Sequence, residues 1–177
     1  MSKEKPAKSA GRDDSRDKSD ISSLVSLLAS KDGVQRCKAR AALIEIGNPA
    51  VDSLVKAMKD RNQTVRWESA KALGQIRNPK SVDALVAALQ DRLFDVRWLA
   101  AEALIGIGDK SVKPILQALV DYPKSEELRE GAHHVLHDLV TSKYRDDLKP
   151  VITSLEDITF TLDIPIRAKK ALKAIGS

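Results

Sequence analysis

The sequence predicts an all-α chain folded as a right-handed α-solenoid, an α-α superhelix of about five helix pairs. Three observations carry that expectation. Val65-Arg66-Trp67 recurs as Val96-Arg97-Trp98, a step of 31 residues, and other columns keep nearly the same step: Val51, Val82 and Val112; Leu54, Leu85 and Ile115; Asp60, Asp91 and Asp121. A period of that length holds two helices of about 11 to 13 residues and two short turns, with nothing left over for a strand. Composition agrees, since 42% of the residues are hydrophobic but only 3% aromatic, and β-sandwiches and barrels lean on aromatic and β-branched side chains.

Taken in order, residues 1–19 hold almost no large apolar side chain and read as a disordered polyampholyte tail. The repeat domain then covers 20–177. Asp20 reads as the cap of the first helix, with Ile21, Leu24, Val25 and Leu28 following at helical spacing. The first helices of the five units fall near 21–30, 50–59, 81–90, 111–120 and 147–156. The second helices fall near 34–46, 64–76, 94–107, 126–140 and 164–175. The units run roughly 20–47, 48–77, 78–108, 109–146 and 147–177. A polar segment over 141–147 lengthens unit four, and Lys149-Pro150 echoes Lys113-Pro114, which predicts an unbroken register across it. Pro165 suits the first turn of a helix. Lys169 and Lys173 stand in columns held by Ala70 and Gly74, as expected where no further repeat follows.

Charge and motifs narrow the function. The net charge is +5, but residues 1–20 mix six bases with five acids, and no block of five like charges occurs. A basic stripe for nucleic acid is therefore not expected. No apolar run approaches the roughly 20 residues of a membrane span, and residues 1–20 are too charged for a secretory signal. Cys37 is the only cysteine, which excludes an internal disulfide and a four-cysteine zinc site and makes a reducing cytoplasm the expected location. Phosphate-binding glycine loops, nucleotide motifs and Ser/His/Asp arrangements are absent, and with no histidine in or beside its unit Cys37 reads as a structural thiol.

The run Val96-Arg97-Trp98-Leu99-Ala100-Ala101-Glu102-Ala103-Leu104-Ile105-Gly106-Ile107-Gly108, with Asp91 ahead of it, resembles the short HEAT repeats called phycobilisome-lyase-like. So does Val65-Arg66-Trp67-Glu68-Ser69-Ala70-Lys71-Ala72-Leu73-Gly74-Gln75-Ile76. The resemblance implies an interrepeat ladder of turn aspartates and helix arginines, with candidate pairs Asp60–Arg66, Asp91–Arg97 and Asp121–Arg129. It also implies that the second helices line a concave face. By register that face carries Trp67, Glu68 and Lys71, then Trp98, Leu99 and Glu102, then Glu130, His134 and Asp138, and finally Arg167 and Lys170.

Trp67 and Trp98 hold one column in adjacent units, so stacking is expected to place them side by side. An aromatic centre with a mixed charged rim is the anatomy of a protein-binding patch. The sequence therefore predicts a monomeric, non-catalytic scaffold for a protein or peptide, without a cofactor. A lyase-like role in handling a bilin is the alternative implied by the resemblance. An alkylbase DNA glycosylase-like role fits less well, because the groove is not basic. His133 and His137 stand four apart, a spacing that can present two imidazoles to a metal, with Asp146 or Asp147 as a third ligand. A polar helix end beside a polar loop explains them better, and no metal is expected. Hydroxylases built on this repeat use His-Glu dipeptides, of which the chain has none.

Overall fold

The computed structural model describes residues 14–140, 144–157 and 162–176. The helices are α1 (Asp14–Leu27), α2 (Gly33–Ile46), α3 (Val51–Ala57), α4 (Gln63–Ile76) and α5 (Val82–Ala88). They continue with α6 (Phe94–Ile107), α7 (Val112–Asp121), α8 (Glu126–Leu139), α9 (Arg145–Glu156) and α10 (Ile164–Gly176). Among the described residues there is no strand. The backbone is helical from Asp14, so Asp20 lies inside α1 and does not cap it. The expected disordered tail falls, over residues 1–13, outside the described residues.

Local chemistry sets the helix ends. Asp32, Asn62 and Ser125 cap α2, α4 and α8, each side chain accepting a backbone N–H of the first turn. Gly47, Arg77 and Gly108 end α2, α4 and α6 with positive φ. Only Arg77 adopts this left-handed region against the usual Cβ penalty.

The repeat columns become core layers. Leu43, Leu73, Leu104 and Leu136 from the second helices are fully buried, as are Leu54, Leu85 and Ile115 from the first. Leu28, Met58, Leu89 and Leu119 form a further layer where each first helix ends. Burying each such side chain stabilises the fold by about 2 kcal/mol relative to exposure. A lone helix pair could not cover these faces, so the pairs stack: α2, α4, α6 and α8 pack in one row, and α1 and α3, then α5 and α7, in the other. Helices α4 and α6 approach closely, and a Cβ on Gly74 would lie 3.2 Å from that of Ala103.

The last pair departs from the register. Helix α9 packs against α8, and α10 packs against α7 and α9. Arg129 and His133 of α8 share a cavity with Leu155 and Glu156 near the end of α9, so these two helices run antiparallel. Ile175, near the end of α10, shares a cavity with Lys110 and Lys113 at the start of α7. Helices α7 to α10 thus close into an up-and-down four-helix bundle over Leu116, Leu136, Leu148, Val151, Ile164 and Ala168. The echo of Lys113-Pro114 in Lys149-Pro150 is corrected accordingly, because α9 occupies the second-helix row. The apolar stripe of α10, Ile164, Ala168 and Ala171, is buried where that helix packs against α7 and α9.

Candidate functional site

The turn before each second helix is built the same way. Arg36, Arg66, Arg97 and Arg129 each donate from Nη1 to the carbonyl six residues back: Ser30 at 2.8 Å, Asp60 at 2.9 Å, Asp91 at 3.1 Å and Pro123 at 3.2 Å. The carboxylates are shared differently from the expected ladder. Arg66 pairs with Asp91 of the following unit, Nε to Oδ2 at 2.6 Å and Nη2 to Oδ1 at 3.0 Å. The Asp60 carboxylate accepts from the Asn62 N–H at 2.7 Å, and Asp121 accepts from Gln117 at 2.9 Å. The pairs Asp60–Arg66, Asp91–Arg97 and Asp121–Arg129 are therefore corrected: in each unit the arginine holds a backbone carbonyl of its own turn, and Arg66 takes its carboxylate, Asp91, from the following unit. Burial alone would raise the Asp91 carboxyl. The hydrogen bonds from Arg66 and the Leu93 N–H, with the charge of Arg66, outweigh it and hold the carboxyl below its ordinary value. The same hydrogen bond raises Arg66 further, against the cost of burial.

Above this base the second-helix face divides in two. On the α4 side, Trp67 is half-buried and packs on the core. Lys71 Nζ lies 4.7 Å and Arg40 Cζ 5.9 Å from its ring centroid. Glu68, expected on the exposed face, is instead 2% exposed, drawn between α2 and α4 by Arg36 and Arg40.

On the α6 side, Trp98 is 47% exposed and stacks between two rings. Phe94 lies 6.3 Å from it, centroid to centroid, and His134 lies 4.8 Å away. His134 Nε2 meets Glu102 Oε1 at 2.9 Å. Leu99 is half-buried against the core, whereas Glu130 and Asp138 are exposed. A groove of about 480 Å³ opens between α4 and α6, lined by Arg36, Thr64, Trp67, Leu93, Phe94 and Asp95 among others. A second, of about 170 Å³, opens between α6 and α8 against Phe94, Trp98, Glu127, Glu130 and His134. Phe94 is the shared wall.

Arg167 and Lys170 are not brought to this face. They border a cavity with Asp146, Asp147 and Pro150 between α9 and α10, a consequence of the inverted last pair. The same placement removes Asp146 and Asp147 from the histidines. His133 lies 3.5 Å from Glu156, and its ring centroid is 5.8 Å from that of His137. Among the described residues no three His, Cys, Asp or Glu side chains are grouped to hold a metal.

Phe94 escaped the sequence reading, although a signal existed. Where α2, α4 and α8 begin with a polar cap followed by Gly33, Gln63 or Glu126, α6 begins with Leu93, which makes no side-chain cap, and then Phe94, 62% exposed. Losing a cap costs about 1 kcal/mol, so the start of α6 departs from the local rule that α2, α4 and α8 follow.

The fold defines a helical-repeat protein. A family model for HEAT repeats matches residues 21–104 and 51–137, and the chain belongs to that family. In fold it is similar to a chain from the complex of CpcE and CpcF of phycocyanin lyase from Nostoc sp. PCC7120, with a TM-score of 0.57 and 21% identity over 87% of this chain and 98% of that one. An engineered protein matches with a TM-score of 0.48 and 25% identity over 91% of this chain and 81% of its own. No curated protein matches. No described helix is long and apolar enough to cross a membrane.

Proposed function

We propose that this chain is a non-catalytic scaffold that holds a protein or peptide segment on the face of its second helices. The observation that carries the reading is the exposed stack of Phe94 and Trp98 between two grooves set one repeat apart. Large aromatic side chains held rigid at the rim of pockets are what interfaces use as anchors, since they bury much area at little entropic cost. Repetition suits an extended segment, because neighbouring grooves receive neighbouring side chains. Truncating one such anchor costs about 2 kcal/mol or more, roughly thirtyfold in affinity. The double variant Phe94→Ala/Trp98→Ala should therefore lose a partner that the wild-type chain retains, with its helical circular dichroism unchanged. Equal retention by a folded double variant contradicts the reading.

A second reading is favoured by the match in fold to the phycocyanin lyase chain, which spans nearly all of both proteins. It makes this chain a handler of bilin chromophores. Adding a bilin to the purified protein separates the two, because a handler should shift and sharpen the pigment's absorption and a peptide platform should leave it unchanged.

A further inference from the structure

Trp67 and Trp98 occupy one column of the repeat but meet opposite chemistry. Trp67 is served by two cations of its own chain, Lys71 and Arg40. One unit on, the place of Lys71 is taken by Glu102 and that of Arg40 by Ala70. Among the described residues no lysine or arginine lies over the Trp98 ring.

Carboxylates surround it instead. Glu127 and Glu130 line the groove that Trp98 walls, and Asp95 lines the adjoining one. Glu130 and Asp95 have no ion-pair partner among the described residues. Arg97, which also lines the groove, donates to the Asp91 carbonyl and lies 5.6 Å from the Phe94 centroid, and its single positive charge stands against two carboxylates. On a chain of net charge +5 this groove is locally acidic. At about 170 Å³ it is below the roughly 300 Å³ at which small-molecule sites begin, and it suits one long side chain.

We infer that the groove between α6 and α8 seats a lysine or arginine side chain of an extended basic peptide segment, with its cation beside Glu127 and Glu130 and its aliphatic stem against the exposed part of Trp98. The inference rests on reading this face as a peptide platform and names the chemistry of what it holds. The exposed part of the ring offers apolar surface to the stem, and the carboxylates supply charge complementarity that a neutral or acidic segment cannot match.

The test uses three fluorescein-labelled octapeptides, alternating Gly-Arg, Gly-Glu and Ser-Leu, titrated into the full chain. Anisotropy is read on the wild type, and Trp98 emission on Trp67→Phe. The Gly-Arg peptide should bind and quench Trp98. Glu127→Gln/Glu130→Gln should weaken it at least about tenfold, whereas Asp52→Asn, exposed on α3, should leave it unchanged. Equal binding by the groove variant, or preference for the Ser-Leu or Gly-Glu peptide, overturns the cationic assignment while leaving the platform standing. If none of the three peptides changes anisotropy or Trp98 emission, the platform reading falls with it.

Discussion

Arg66 reaches out of its own repeat and grips Asp91 of the next through two hydrogen bonds, while its remaining nitrogen holds the Asp60 carbonyl behind it. One side chain thereby fixes a turn and couples two units. A carboxyl held below its unfolded value stabilises the fold above the ordinary carboxylate range and loses that contribution as the pH falls through its folded value. Asp91→Asn should cost about 2 kcal/mol at pH 7. The gap from wild type should narrow below about pH 4, as read from urea unfolding at the two pH values. A gap of the same size at both would show that the charge on Asp91 is not what matters.

Ala103→Leu should destabilise by about 1–3 kcal/mol, because α4 approaches α6 at Gly74 too closely to admit the added atoms. Thermal or urea unfolding measures it. A neutral result would mean that the two helices can part at no cost, against the close packing described here.

The inverted last pair is open to a direct distance test. In a Cys37→Ser background, Lys113→Cys and Ile175→Cys should be joined readily by a short bis-maleimide, since both positions border one cavity between α7 and α10. If α10 instead continued the row of α8, the two thiols would sit in different layers and no intramolecular link would form.

These elements also show what the sequence made legible. The step of 31 residues located the helices, because apolar columns repeat only if each unit buries the same face. Pairing was not legible in the same way: a column names Asp91 and Arg66 without saying which neighbour each one faces. Glu68 stood in a column read as exposed, and its burial depends on Arg36 and Arg40 of another helix. Lys149-Pro150 repeats a local signature, whereas the layer a helix joins is decided by which neighbours its apolar stripe covers, α8 for α9 and α7 for α10. Phe94 stands ahead of the repeated run that begins at Val96, where the units differ in sequence, so periodicity carries no information about it.

Phe94→Gln should change stability by no more than about 0.5 kcal/mol, since the ring is mostly exposed and glutamine stands at the same place in α4. It should nevertheless weaken partner binding. In Trp67→Phe the remaining tryptophan should emit to the red and be quenched by acrylamide, whereas in Trp98→Phe the remaining ring should emit to the blue and resist quenching. The reverse order would exchange the roles given to the two rings.

Partner binding is assigned above to the face of the second helices, at α6. A photo-reactive benzoylphenylalanine placed at Phe94, and separately at Asp83 on the exposed side of α5, tests it with the partner or a bound peptide present. On irradiation the chain carrying the probe at position 94 should form the adduct, and the chain carrying it at position 83 should not. Adducts from position 83 with none from position 94 would contradict the account.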